Sequence, residues 1–254
     1  MSLRAWLSVR HPLRVELLTV LGLYAVYESS RGLVSTHDGA VAVRHADDIV
    51  ALERALHMFV ERNAQEVAER VGGLVGLLGV AYLTLHLTAT GVLLLWLHRR
   101  RPHAYAFVRT TLLLASEMAL IGFIVFPTAP PRLSGVGILD TLSSNSNFDL
   151  NHGLVSSLYK PYAAMPSMHA GYATVVGVTV FRETRPLLLR LVGLAYPIFV
   201  VLVIVSTGNH FFLDAIAGVI VVGLAAGITR LLVDPIRERD FQADVYQLVQ
   251  AVRP

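Results

Sequence analysis

Apolar runs long enough to cross a bilayer alternate along this chain with short polar stretches. A hydrocarbon core of about 30 Å is crossed by roughly 20 residues of helix. Six runs meet or approach that length, at 14–34, 71–97, 107–127, 166–181, 187–207 and 210–233. The pattern predicts an all-α polytopic membrane protein, a single integral domain over 1–254 with 235–254 as a tail. Between the first two runs lies DDIVALERALHMFVERNAQEVAER, in which Ile49, Leu52, Leu56, Phe59 and Val67 recur at helical spacing. This predicts one amphipathic helix, lying on the membrane surface or packed against a partner. Glu53 and Glu61 then belong to its solvated face. In the tail, Phe241, Val245, Leu248 and Val252 share one face and predict a second membrane-surface segment.

Composition agrees with the pattern. The chain is 54% hydrophobic and 15% charged, against about 25% charged in an ordinary soluble domain. It has no cysteine, which removes disulfide and thiolate chemistry. Its basic residues are scattered, with no stripe of the kind that binds nucleic acid. The start, MSLRAWLSVRHPLR, is similar to a signal peptide, but no small-residue cleavage site follows, so it reads as an uncleaved first span.

Charge orients the spans, because cytoplasmic loops retain Lys and Arg. With the N-terminus inside, 14 of the 21 basic residues fall on the inner side. Arg109 then reads as an interface anchor. Both termini are expected in the cytoplasm, and three polar clusters fall together on the outer face of the plasma membrane.

The first cluster is FPTAPPRL, where prolines end the third run and lead to Arg132. The second is MPSMH, with Pro166, Ser167 and His169. The third is STGNHFFLDAIAG, with Asn209, His210 and Asp214. His210 and Asp214 are four residues apart and share one helical face. A carboxylate beside an imidazole fixes one ring nitrogen as a donor and leaves the other to attack. Pro166 suits a first helical turn. Ser167 either caps that helix or binds phosphate beside its outward N–H groups. His169 can move a proton, and the planar fork of Arg132 matches two phosphate oxygens. Asn209 reads as a cap or a ligand group. Tyr82 and His86, four apart in the second run, read either as an interhelical hydrogen-bond pair or as headgroup contacts.

These are the parts of phosphoryl transfer through a phosphohistidine, with no metal or cofactor. His210 attacks, Asp214 orients it, His169 handles the proton, and Arg132 and Ser167 hold the phosphate. Two other readings use the same residues. His169, His210 and Asp214 supply enough ligands for a zinc site. A lipid transporter or lipid-binding protein without chemistry would place its ionisable groups along a path rather than at one face.

The order and spacing of P-S-x-H and H-x-x-x-D, after a proline-arginine element, resemble the type 2 phosphatidic acid phosphatase superfamily. The resemblance implies a six-helix membrane fold, the histidine mechanism and a lipid phosphate substrate. It also locates two departures. A lysine usual seven residues before the arginine is Val125 here, and an arginine usual six before the second histidine is Ile204. APPR, AAMPSMH and TGNH instead look like the branch similar to inositol phosphorylceramide synthase, which moves a phosphorylated headgroup between lipids. Fewer cations suit a diester better than a monoester, although Lys160 can replace one of them. The partners implied are a lipid phosphate or phospholipid and, for a transferase, a lipid or polyol acceptor in the bilayer.

Overall fold

The computed structural model describes residues 6–34, 39–140 and 162–233. Lys160 and the tail segment 235–254 lie outside them. Among the described residues the chain is all-helical, with eight helices and no strand. They are α1 (Leu13–Val34), α2 (Gly39–Ala55), α3 (Glu61–Glu69), α4 (Leu74–Arg100), α5 (Pro102–Val125), α6 (Met168–Glu183), α7 (Leu187–Ser206) and α8 (Phe212–Leu232).

Four helices are long and apolar enough to cross a membrane: α4, α5, α7 and α8. Both other expected spans are helices, of different character. α6 has 16 residues, so it rises only about 24 Å. α1 has 22 residues but carries Arg14, Glu16, Glu28 and Arg31.

The core forms where α6 packs along α7 and α8, and α8 along α5. The α6 and α7 backbones meet closely where Gly177 faces Gly193. A methyl group on Gly177 would collide with the Gly193 carbonyl, so α6 and α7 cross with nothing between them. Tyr172 and Val176 of α6 pack with Leu93 and Leu97 of α4 and Leu112 of α5. At the N-terminal end of α1, Arg109 is not an interface anchor but a buried group. Its Nη1 donates to Glu16 Oε1 at 2.6 Å, and Tyr105 and the His11 amide also donate to that carboxylate. Arg109 further donates to the carbonyls of Leu7 and Val9, which ties the N-terminal segment to the bundle.

The predicted single amphipathic helix is two helices, α2 and α3. α2 ends in a six-to-one and five-to-two hydrogen-bond pair, Met58 N–H to Glu53 O and His57 N–H to Arg54 O. His57 takes the left-handed conformation, φ 59°, that such an ending requires. The reversal changes which face is buried. Ile49 and Val50 are buried, but Leu52, Leu56 and Val67 are exposed, while Glu53 and Glu61 are fully buried against the start of α8. The expected solvated face is therefore partly the packed one.

Candidate active site

Four helix ends gather at one end of the bundle, the starts of α6 and α8 and the ends of α5 and α7, and α4 passes beside them at Tyr82 and His86. Short backbone links hold the three polar clusters together there. Thr128 N–H donates to Tyr162 O (3.0 Å) and Ala164 N–H to Thr128 O (3.2 Å), a parallel bridge joining the first cluster to the second. Ser167 N–H donates to Asp214 O (2.9 Å), joining the second to the third. Arg132 N–H donates to Gly208 O (3.0 Å), joining the first to the third.

The local sequence explains each placement. α7 stops at Gly208, whose φ of 66° suits glycine. Gly208 N–H donates to Val205 O and Asn209 N–H to Ile204 O, so the chain turns over the end of α7 and delivers His210. Ser167 is the N-cap of α6; its hydroxyl accepts from Ala170 N–H, and the residue is fully buried. Pro166 lies just outside the helix rather than in its first turn. Gly218 of α8 lies against the Ser167 carbonyl with no room for a methyl group. Arg132 sits on a short 3₁₀ turn, Pro131–Leu133.

His210 is buried. Its Nδ1 lies 2.9 Å from Ala164 O and 3.4 Å from Asp214 Oδ2. A carbonyl only accepts, so Nδ1 carries hydrogen, which in the neutral ring leaves the lone pair on Nε2. Asp214 Oδ2 also accepts from Phe211 N–H at 2.9 Å, which caps α8. The His169 and His210 ring centroids are 5.4 Å apart. Tyr82 stacks on His169 at 4.4 Å, and His86 tilts against the same ring at 4.0 Å. Both α4 residues therefore wall the imidazole pair.

Arg132 is buried and held on two sides. Nε donates to Asn209 Oδ1 (3.0 Å) and Nη1 to Asp140 Oδ2 (2.9 Å). Asn209 in turn donates from Nδ2 to Thr207 Oγ1 (2.8 Å). Asn209, the residue before His210, thus fixes the guanidinium. Asp140, missed in the sequence, has no motif to mark it. Gln65 of α3 fixes the adjoining loop by donating to Leu139 O and accepting from Leu139 N–H.

Two more carboxylates missed in the sequence cap α8. Phe212 N–H donates to Glu61 Oε1 (2.7 Å) and Leu213 N–H to Glu53 Oε1 (2.8 Å). Burial, reinforced by the negative charges of Glu61 and Asp214, pushes the Glu53 carboxyl up to about 8 despite the Leu213 hydrogen bond. Among the described residues, no three His, Asp or Glu side chains gather as a metal site.

A cavity of about 300 Å³ opens between α1, α4 and α5. Leu21, Tyr24, Leu87, Leu94 and Leu112 line it, and Tyr172, three residues after His169, forms part of its wall.

The chain belongs to the PAP2 superfamily: a family model of that description matches residues 47–228, which run from α2 to near the end of α8. Members of this superfamily are generally phosphatases. No curated protein matches the chain. No solved structure matches it. Family membership and the apolar helices together make this a membrane protein consistent with a lipid phosphatase or phosphotransferase.

Proposed function

We propose that the protein is a lipid phosphoryl-transfer enzyme that works through a phosphohistidine on His210. The single observation that carries this reading is the spacing of His169 and His210, ring centroids 5.4 Å apart, with Arg132 hydrogen-bonded to Asn209, the residue before His210. In the first step His210 Nε2 attacks phosphorus, and the P–O bond to the leaving group breaks. His169 gives its proton to the departing alkoxide. The ring that results is positive, with its Nδ1–H stabilised by Ala164 O and Asp214. In the second step His169 takes the proton of an acceptor hydroxyl, that oxygen attacks phosphorus, and the P–N bond breaks. Arg132 holds the phosphate oxygens, with the α6 N-terminus at Ser167 nearby. Tyr82 and His86 bound the headgroup, and Lys160 is an additional cation. No metal or cofactor takes part.

The acceptor is a lipid or polyol hydroxyl rather than water, in the manner of the inositol phosphorylceramide synthase branch. Asp140 partly neutralises Arg132, and Val125 and Ile204 supply no charge, which suits a singly charged phosphodiester. The cavity beside Tyr172 accommodates a lipid tail. In this reading α1 and α6 complete six spans within a single domain, α2 and α3 lie at the membrane surface, and both termini are cytoplasmic. The site then faces the outer leaflet of the plasma membrane.

Incubation with phosphatidic acid, a polyprenyl phosphate or phosphatidylinositol, each with and without an alcohol acceptor, tests the reading by lipid mass spectrometry. A new phospholipid that needs the acceptor, survives EDTA and vanishes in His210→Ala is expected. Steady release of inorganic phosphate would make it a phosphatase. Lipid movement without any product, unchanged in His210→Ala, would make it a transporter.

A further inference from the structure

The start of α8 receives a carboxylate on each of three successive N–H groups: Asp214 on Phe211, Glu61 on Phe212 and Glu53 on Leu213. One carboxylate satisfies a helix N-terminus, where about half a positive charge resides. Three in a fully buried space repel one another. Each also keeps a second oxygen, Glu53 Oε2, Glu61 Oε2 and Asp214 Oδ1, buried and with no hydrogen-bond partner. Such orphaned oxygens are costly unless a proton bridges them. Glu53 and Glu61 hold the neighbouring Leu213 and Phe212 N–H groups, which brings their carboxyls together in one buried space.

We propose that Glu53 and Glu61 share one proton and act as a positioning pair for His210, clamping α2 and α3 onto the start of α8. The proton converts a repelling pair into a hydrogen-bonded one. Glu53 then holds Leu213, Glu61 holds Phe212, and the turn that carries His210 stays in place. This use of the pair rests on the phosphohistidine reading; the shared proton does not.

The charged groups facing the pair set the sign of its pH response. Glu61 comes from α3 and Asp214 from α8, both negative, with His210 behind Asp214 at 3.4 Å. Arg54, on the helix of Glu53, lies over the Phe59 ring instead. Glu53 is raised from 4.5 to about 8. Near neutrality the folded protein therefore keeps a proton that the unfolded chain has already released. This stabilisation is fully present below the ordinary carboxylate range and is lost as pH rises through about 8.

The full-length protein in detergent provides the test. Thermal unfolding should fall in the parent between about pH 6 and about pH 9, and that fall should be removed by Glu53→Gln. The glutamine supplies a permanent neutral donor toward Glu61 and still accepts from Leu213. Turnover lost by more than about ten-fold in Glu53→Ala should be rescued by Glu53→Gln, whose alkaline limb moves upward. Histidine ¹⁵N NMR, with His210 assigned through His210→Asn, reads positioning without needing a substrate. The Nδ1–H signal should be lost above the alkaline limb in the parent and retained in Glu53→Gln. A parent and Glu53→Gln with the same stability profile would overturn the shared proton. A shifted stability profile with an unshifted His210 signal would overturn the positioning role, whatever the enzyme's substrate proves to be.

Discussion

The ring of His210 is held chiefly by the carbonyl of Ala164, 2.9 Å from Nδ1, rather than by Asp214 at 3.4 Å. In a serine-protease-like arrangement the carboxylate alone sets the tautomer, and replacing it by an amide costs about 10⁴ in turnover. Here a backbone oxygen that cannot be mutated away performs that task. Asp214→Asn should keep the cap on Phe211 and the tautomer while losing the stabilising charge. A fall of roughly ten- to hundred-fold in lipid product is expected. Replacing His210 itself should abolish product formation in the same mass-spectrometric assay.

Arg132 shares its guanidinium between Asn209 and Asp140. Lysine cannot hold both partners and a phosphate, because it lacks the planar fork. Arg132→Lys should raise KM for the lipid phosphate by about ten- to hundred-fold, the cost of one charge-assisted hydrogen bond. Asp140→Asn should shift preference toward doubly charged monoesters, read as the ratio of phosphate released to phosphodiester formed.

Gly218→Ala pushes a methyl group into the Ser167 carbonyl at the start of α6. Such overpacking costs typically 1–3 kcal/mol. The melting temperature and turnover should both fall. Gly223→Ala, on the same helix but with open space around it, should leave both unchanged.

The cavity between α1, α4 and α5 has Gly91 in its wall, again with open space where a side chain would go. Gly91→Leu should fill it without disturbing the imidazole pair. Its KM for a long-chain lipid should rise, while that for a short-chain soluble analogue stays at the parent value. Equal effects on both substrates would place the lipid tail elsewhere.

At the far end of the bundle, Glu16→Ala leaves the Arg109 guanidinium buried without its carboxylate. Breaking a buried pair on one side costs roughly 3–5 kcal/mol. Thermal unfolding should register that loss, while turnover per folded molecule should not change.

The sequence placed Arg132, His169 and His210 at helix ends because prolines, a serine cap and a glycine mark those ends openly. Gly208 is an example: its residue type announces the stop. His57 performs the same stop for α2 without a glycine, so one continuous helix was expected where two exist. That error hid Glu53 and Glu61, since only the reversal at His57 turns both inward. The carbonyl of Ala164 could not be foreseen at all, because every residue has one. Asp140 was equally silent: its meaning comes from facing Arg132, and no local spacing encodes that.

The parallel bridge between Thr128 and Ala163 has a consequence for how this chain can be altered. It ties Thr128, four residues before Arg132, to Ala163, six residues before His169, through backbone hydrogen bonds, so side-chain substitutions on either side of the bridge leave that register intact unless proline removes an N–H.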